Sequence, residues 1–84
     1  MSVKILYFAS LREALGCSEE SLELPTGMTT VGQLRDFLCA RGEDWQALAP
    51  GKSVRAAVNQ DLAQASAPIK AGDEVAFFPP VTGG

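Results

Sequence analysis

The chain is predicted to be one α+β domain, a roll in which a mixed β-sheet packs against one main helix. Three observations predict this fold. The length of 84 residues fits a single domain. Apolar, strand-like runs stand near both ends, and a strong amphipathic helix follows the first pair of strands and precedes the others. A chain of this size buries roughly 60% of its unfolded surface, which leaves little room for an enclosed substrate cavity.

The first part of the chain supplies two strands and a short helix. The apolar run "VKILYF" (3–8) is rich in strand formers and predicts a central strand buried on both faces. In the following "SLREALG", Ser10 and Glu13 have the spacing of a capping box, and Gly16 stands where a helix stops. The segment "ESLELP" (20–25) alternates leucine with polar residues, which predicts a half-buried strand.

The segment "TVGQLRDFLCARG" is the strongest helix prediction of the chain. Thr30 and Gln33 have the spacing of a capping box, and Gly42 is expected to end the helix. Cys39 lies beside the apolar face, so it is interpreted as a small core residue rather than a reactive nucleophile. The predicted apolar face consists of Val31, Leu34, Phe37 and Leu38.

The second half of the chain supplies three more strands. "EDWQALAPG" predicts a short helical turn and a break at 50–51. "VRAAVN" (54–59) is predicted to be a strand, and "NQD" a tight turn into a short partner strand around Leu62. "KAGDEVAFF" predicts a turn and then a final strand over 73–78. This last strand and the strand at 3–8 are expected to be neighbours in the centre of the sheet.

The charge pattern argues against a nucleic acid partner. The formal net charge is −3, and the seven basic residues are scattered along the chain. The N-terminal "MSVKILYFAS" lacks the apolar core of a secretory signal, and no stretch approaches membrane-spanning length. A soluble cytoplasmic protein without nucleic acid or membrane partners is therefore expected. In that setting Cys17 and Cys39 are expected to be free thiols.

The folded part of the chain carries no recognisable catalytic motif. Because histidine is absent, Ser–His and Cys–His catalysis and histidine-ligated metals are excluded, and two thiols alone do not make a zinc site. "GKS" at 51–53 lacks the upstream glycine of a phosphate loop and is interpreted as a turn. No metal and no bound cofactor are expected. Three acidic pairs are interpreted as solvated charge, namely Glu19–Glu20, Glu43–Asp44 and Asp73–Glu74.

The C-terminal "DEVAFFPPVTGG" is the unusual feature of the sequence. After Glu74, the terminal carboxylate is the only charged group. Strand alternation makes Phe77 the core residue and places Phe78 on the outside, where an aromatic ring suits an interface. Pro79 and Pro80 fix φ and give a stiff, extended spacer. The two final glycines have no side chains, so they fit a channel too narrow for any Cβ.

This tail is predicted to deliver the C-terminal carboxyl group into the active site of another protein. Residues 1–78 are expected to form the globular domain, and residues 79–84 an extended diglycine tail. A carboxylate is ionised at neutral pH and is a poor electrophile, so it must first be activated, most simply as an acyl-adenylate formed with ATP. Because the chain contains no nucleotide site, a separate enzyme must perform that activation. The unhindered carbonyl of Gly84 is open to attack.

The segments "FASLREALG", "AAVNQ" and above all "GDEVAFFPPVTGG" closely resemble the family of small sulfur-carrier subunits of molybdopterin synthase, over essentially the whole chain. The resemblance implies a ubiquitin-like β-grasp fold and a non-catalytic subunit. It implies that a ubiquitin-activating-like adenylyltransferase adenylates Gly84 with ATP, after which Gly84 becomes a thiocarboxylate. It also implies a heterotetramer with two copies of the large catalytic subunit, in which sulfur passes to cyclic pyranopterin monophosphate and builds the dithiolene of molybdopterin.

The resemblance assigns the tail residue by residue. Gly84 corresponds to the sulfur-bearing residue. Arg12, in the "LRE" stretch, is either an interface residue or part of a solvated helix face. The residues that the resemblance assigns to partner binding are Phe78, Pro79, Pro80, Val81, Thr82 and Gly83.

Three other functions remain open at the level of sequence. A thiamine-pathway sulfur carrier shares the fold and the diglycine, but it is expected to be shorter and to lack the proline-containing ending. A ubiquitin-like modifier would join Gly84 to a lysine through an isopeptide bond, and it would begin from the same adenylate. An interaction module with a frayed end would keep every activity after deletion of Gly83 and Gly84.

Overall fold

The first and last strands lie side by side at the centre of one sheet. In this computed structural model, which describes residues 2–48 and 54–79, β1 (Ser2–Tyr7) pairs in parallel with β5 (Glu74–Phe78). The strand order is β2-β1-β5-β3-β4, and every pairing other than that of β1 with β5 is antiparallel. The predicted α+β roll and its central pair of strands are confirmed. The remaining strands are β2 (Glu19–Glu23), β3 (Arg55–Val58) and β4 (Asp61–Ala63).

One face of the sheet is covered by helices, and we call it the inner face. Leu34 and Leu38 of the main helix are fully buried in one core with Ile5 of β1, Val75 of β5 and Leu48. Neither α-helix is long and apolar enough to cross a membrane within the residues that the structure describes. The helices are α1 (Ser10–Leu15), α2 (Val31–Cys39) and a 3₁₀ helix (Glu43–Leu48).

The expectation that β1 is buried on both faces is wrong. Val3, Ile5 and Tyr7 are buried, whereas Lys4 between them is exposed and Leu6 is half-buried. The helices cover only the inner face, so alternate residues of this apolar run reach the outer face of the sheet.

The two predicted capping boxes have different outcomes. At α2, the backbone N–H of Gln33 donates to Thr30 Oγ1 at 3.2 Å, and the backbone N–H of Thr30 donates to Gln33 Oε1 at 3.2 Å, which confirms the motif. At α1 the prediction is wrong because Ser10 is already the first helical residue, and Ala9 is the N-cap without a side-chain hydrogen bond. The end of α1 is as predicted, with Gly16 in the left-handed region at φ 74°.

The predicted apolar face of α2 is narrower than expected. Phe37 is 36% exposed, whereas Val31, Leu34 and Leu38 are buried. Phe37 lies roughly 60° further round the helix than Leu34, which places its ring beyond the part of the helix that meets the sheet. The helix also ends earlier than predicted, at Cys39, with Ala40 rather than a glycine as its C-cap.

The hairpin from β3 to β4 has the predicted tight turn. Asn59 and Gln60 both have positive φ, at 51° and 75°, the combination that a two-residue type I′ turn requires. This turn places the exposed Leu62 of β4 beside Ala57 of β3. The predicted break at 50–51 and the "GKS" turn lie outside the described residues.

Candidate docking face and base of the tail

The outer face of the sheet is apolar near the end of β5. Phe8, directly after β1, is 47% exposed, and Leu62 of β4 is 68% exposed. Between them lies an open hollow of about 430 Å³, to which Gln60 and Glu74 contribute polar groups. We call this surface the apolar face, and its apolar residues are Leu6, Phe8, Ala57, Leu62, Ala76 and Phe78.

Two consecutive phenylalanines of β5 lie on opposite sides of the sheet, one in the core and one on the apolar face. Phe77 has no exposed surface and stacks on Tyr7 with ring centroids 6.3 Å apart. Phe78 is half-buried and lines the hollow. This division confirms the orientation that strand alternation predicts, and it places an aromatic ring on the outside at the last residue before the prolines.

The backbone around Ala9 holds Phe8 on the apolar face. The N–H of Phe8 donates to the carbonyl of Phe77 at 3.1 Å, which extends the pairing of the central strands. Ala9 then takes φ 53° and ψ −129°, and α1 begins at the next residue. Positive φ is uncommon for a residue with a Cβ.

Leu11 points into the core, while Arg12 is exposed on α1.

The tail begins directly at the apolar face. The last strand ends at Phe78, and the half-buried Pro79 follows it. The predicted roles of the other tail residues fall outside the described residues and stay predictions. Those residues are Pro80, Val81, Thr82, Gly83 and Gly84.

A buried carboxylate holds the start of β5, and the interpretation of Asp73 as solvated charge is wrong. Asp73 is 6% exposed, and it accepts hydrogen bonds from Asn59 Nδ2 at 3.0 Å and from the backbone N–H of Lys70 at 2.9 Å. The side chain of Asn59 also accepts from the backbone N–H of Glu74 at 3.0 Å. The hydrogen bond from Asn59, followed by that from Lys70, outweighs burial and lowers the pKa of Asp73. Sequence reasoning missed this contact because its partners lie 14 residues apart.

A second carboxylate, that of Glu20, is partly buried and held by hydrogen bonds, so its interpretation as solvated charge is also wrong. Both carboxylate oxygens of Glu20 accept hydrogen bonds from the Arg41 guanidinium, each at 2.9 Å. The Tyr7 hydroxyl donates to the same carboxylate at 3.0 Å, and the guanidinium lies 4.6 Å from the centroid of the Trp45 ring. The Arg41 hydrogen bonds are the main reason that the pKa of Glu20 is lowered. By contrast Glu19, which pairs with Lys4 at 3.3 Å, is exposed as predicted.

The two cysteines are free thiols, as predicted, and both are partly buried. Burial, followed by the nearby Glu20 carboxylate, raises the pKa of Cys17. Burial also raises the pKa of Cys39 at the end of α2. A raised pKa means that less thiolate is present at neutral pH, so neither thiol has the character of a catalytic nucleophile.

A second hollow, of about 280 Å³, lies between the start of α2 and the β3–β4 hairpin. Arg35 and Arg55 border it. Arg35 is engaged within the fold, because its Nε donates to the carbonyl of Leu48. Leu62 of β4 borders both this hollow and the one on the apolar face, so the two hollows adjoin.

The five-stranded mixed sheet over one main helix defines a ubiquitin-like β-grasp domain. The solved structure of SAMP1 from Haloferax volcanii is similar, with a TM-score of 0.82, 29% identity and full coverage of both chains.

The chain is 46% identical over 83 residues to the molybdopterin synthase sulfur carrier subunit of Escherichia coli (strain K12), covering 98% of this chain and 99% of that protein. The protein of the same name from Haemophilus influenzae (strain ATCC 51907 / DSM 11121 / KW20 / Rd) is 40% identical over the same shares. The ThiS family model matches residues 5–84, so the chain belongs to the ThiS family, and within it to the molybdopterin synthase sulfur carrier subunits. The sequence-based prediction of the family is confirmed.

Proposed function

We propose that this chain carries sulfur as a thiocarboxylate on its C-terminal residue, Gly84, and donates that sulfur during molybdopterin synthesis. The observation that carries the proposal is the family match over residues 5–84, which reaches the terminal diglycine. The position of Phe78 supports it, because the tail starts at the rim of an exposed apolar surface. The folded body then serves to hold and orient the carboxyl group.

The proposed chemistry has two steps before transfer. A ubiquitin-activating-like adenylyltransferase uses ATP, and a carboxylate oxygen of Gly84 attacks the α-phosphorus, so that pyrophosphate leaves and an acyl-adenylate forms. A sulfur nucleophile at the oxidation level of sulfide then attacks the acyl carbon, and AMP leaves. The product is the thiocarboxylate. Gly83 and Gly84 suit both steps because no side chain hinders the carbonyl.

The proposed acceptor complex contains the large catalytic subunit of molybdopterin synthase, as a heterotetramer with two copies of each subunit. In it, the sulfur of Gly84 forms a C–S bond to cyclic pyranopterin monophosphate, and water hydrolyses the acyl C–S bond and restores the Gly84 carboxylate. Two such transfers build the dithiolene. The chain itself binds no cofactor in this proposal, since ATP belongs to the activating enzyme. Residues 79–84 act as the inserted tail. Pro79 and Pro80 form the spacer, and Val81 and Thr82 lie inside the partner's channel and contact its walls.

The apolar face is proposed to supply the free energy that tail insertion needs. Ordering six residues costs roughly 6–12 kcal/mol of backbone entropy, which the two prolines reduce because their φ angles are already fixed. The glycines bury almost nothing. Phe8, Leu62 and Phe78 offer exposed apolar area beside the tail, and burying that area against the partner offsets the cost.

A single-turnover assay tests the proposal. The full chain is prepared with a C-terminal thiocarboxylate, mixed with the large subunit and cyclic pyranopterin monophosphate, and followed by intact mass. We expect the chain to revert to the carboxylate while the dithiolene product forms in proportion. The matched control is the same chain with an ordinary carboxylate, which yields no product. A thiocarboxylate that persists in the presence of active large subunit would contradict the proposal.

A second candidate function is conjugation to lysine as a ubiquitin-like modifier. The structural likeness to SAMP1, a small archaeal modifier protein, favours it. Both functions start from the same adenylate, but the modifier would form an isopeptide bond between Gly84 and a lysine amine. Mass spectrometry of cell extracts separates them, because stable lysine conjugates indicate the modifier, whereas a thiocarboxylated chain without conjugates indicates the carrier.

A further inference from the structure

A basic residue, Arg55, stands beside the tail end of the apolar face, and an acidic residue, Glu74, lines its other end. Arg55 begins β3, and its Cα is the register partner of Phe78, so strand alternation places it beside the base of the tail. Glu74 begins β5 and borders the hollow. Ala76 and Ala57, which pair with each other, separate the two charges. The surface is therefore polarised along β5, with the positive end where the tail leaves.

Both charges are available to a partner. Within residues 2–48 and 54–79, neither the Arg55 guanidinium nor the Glu74 carboxylate forms an ion pair. Lys4 is the register partner of Glu74 in β1, but its Nζ pairs instead with Glu19 Oε2 of β2 at 3.3 Å. The acidic end of the apolar face is therefore not neutralised by its nearest basic neighbour.

The separation of the two charges is large enough for each to be recognised on its own. Glu74 and Phe78 are four residues apart in an extended strand, which corresponds to about 13 Å. That distance exceeds the Debye length of about 8 Å at physiological ionic strength. Each charge consequently interacts mainly with a group placed directly opposite it. The pair can therefore favour one of the two opposite directions in which the partner surface could dock.

We propose that Arg55 and Glu74 set the direction in which the partner docks on the apolar face. The partner that fits this surface presents an apolar patch, with a carboxylate opposite Arg55 and a lysine or arginine opposite Glu74. Docked in the reverse direction, the same surfaces would bring like charges together at both ends, and the tail base would face away from the partner's active site. This inference rests on the proposed function, because it takes the acceptor of the tail as the partner.

A charge exchange tests the inference. The double variant R55E/E74K of the full chain reverses the polarity of the apolar face and leaves the net charge unchanged. Binding to the large subunit is measured by calorimetry at low and at high salt. We expect Kd to rise at least about tenfold at low salt and the difference from wild type to shrink at high salt, as screening weakens both ends.

Two controls separate direction from charge in general. The double variant K70E/E43K exchanges exposed charges that do not line the hollow, also at constant net charge, and is expected to bind like wild type. The double variant R55K/E74D keeps both signs and is expected to bind within about threefold of wild type. Circular dichroism confirms that each variant is folded.

The outcomes distinguish this inference from the proposed function. If R55E/E74K binds the large subunit as tightly as wild type, the assignment of Arg55 and Glu74 is overturned while the sulfur-carrier proposal stands. If K70E/E43K loses as much affinity as R55E/E74K, the effect is not one of direction, and the assignment is again overturned. If the wild-type chain itself fails to bind the large subunit, the proposed function is overturned.

Discussion

Phe77 and Phe78 are consecutive residues of β5 whose rings lie on opposite faces of the sheet, one in the core and one on the apolar face. Because Phe77 is fully buried against Tyr7, it fixes the register and tilt of the strand that carries Phe78. The tail starts one residue later. The rigid core of the domain is thereby connected to the point from which the tail extends.

Alanine substitution at Phe77 should mainly affect stability, whereas alanine substitution at Phe78 should mainly affect binding. F77A removes a fully buried ring and should lower the free energy of unfolding by about 3–5 kcal/mol. F78A removes a half-buried surface ring and should lower it by about 1 kcal/mol at most. F78A should raise the Kd for the large subunit by about thirtyfold or more, as expected of an aromatic hot spot. Urea unfolding and calorimetry measure the two effects, and an F78A variant that binds normally would contradict the docking role of Phe78.

The last residue should tolerate no side chain. G84A is expected to fold like wild type, because Gly84 is proposed to belong to the tail rather than to the globular domain. It is expected to donate sulfur poorly, because its methyl group hinders both the acyl carbon and the passage into the partner. Single-turnover sulfur transfer measures the effect. The control is S66A, which changes an exposed turn residue outside the tail and should retain transfer. Equal transfer by G84A and wild type would contradict the narrow-channel argument.

Ala9 should be a site where glycine stabilises the protein. Its φ of 53° with ψ of −129° is strained for a residue with a Cβ, at a cost of about 1–3 kcal/mol. Glycine removes this strain but makes the unfolded chain more flexible by about 0.5–1 kcal/mol. A9G should therefore raise the free energy of unfolding by about 1 kcal/mol. The same substitution at the exposed helical Ala14 should lower it by about 1 kcal/mol, and urea unfolding of the pair checks the contrast.

Asp73 should make stability depend on acid pH. Its pKa is lower in the folded chain than in the unfolded chain, so its ionised form stabilises the fold above the unfolded pKa of about 4. This contribution is lost as the pH falls through the folded pKa. D73N removes the charge, and it should lower the free energy of unfolding at pH 7 by about 1–2 kcal/mol and make it vary less with pH below about 5.

A series of urea unfolding curves from pH 7 to acid pH measures this dependence. The matched variant is D44N, which changes an exposed carboxylate of the 3₁₀ helix and should leave the free energy of unfolding at pH 7 close to wild type. If D73N and wild type lose stability in parallel as the pH falls, the assigned role of Asp73 is wrong.

Local patterns in the sequence predicted the elements and the central pair of strands, and long-range contacts explain most of the errors. The capping box of Thr30 and Gln33 was predictable because both residues belong to one turn. The same spacing at Ser10 failed because the positive φ of Ala9 starts the helix one residue earlier than the pattern implies. The roles of Glu20 and Asp73 depend on Arg41 and Asn59, which lie 21 and 14 residues away, and no short motif links these pairs.

The candidate site was only partly predictable. The outward position of Phe78 followed from strand alternation, whereas the tail chemistry inferred from the terminal diglycine stays a prediction. Phe8 and Leu62 were missed as surface residues of the apolar face, because only the sheet order places β1 and β4 on either side of β5 and β3. Arg55 and Glu74 are likewise far apart in sequence, and only the register of β3 with β5 brings their charges to the two ends of one surface.

The most direct test of the central claim is the intact mass of the chain after incubation with the activating enzyme, ATP and a sulfur source. We expect a mass gain equal to the replacement of one oxygen by sulfur, and fragmentation should place that gain on Gly84. The chain lacking Gly83 and Gly84 serves as the control and should show no gain. A wild-type chain that acquires no sulfur under conditions in which the enzyme is active, or that acquires it on Cys17 or Cys39 instead, would contradict the account.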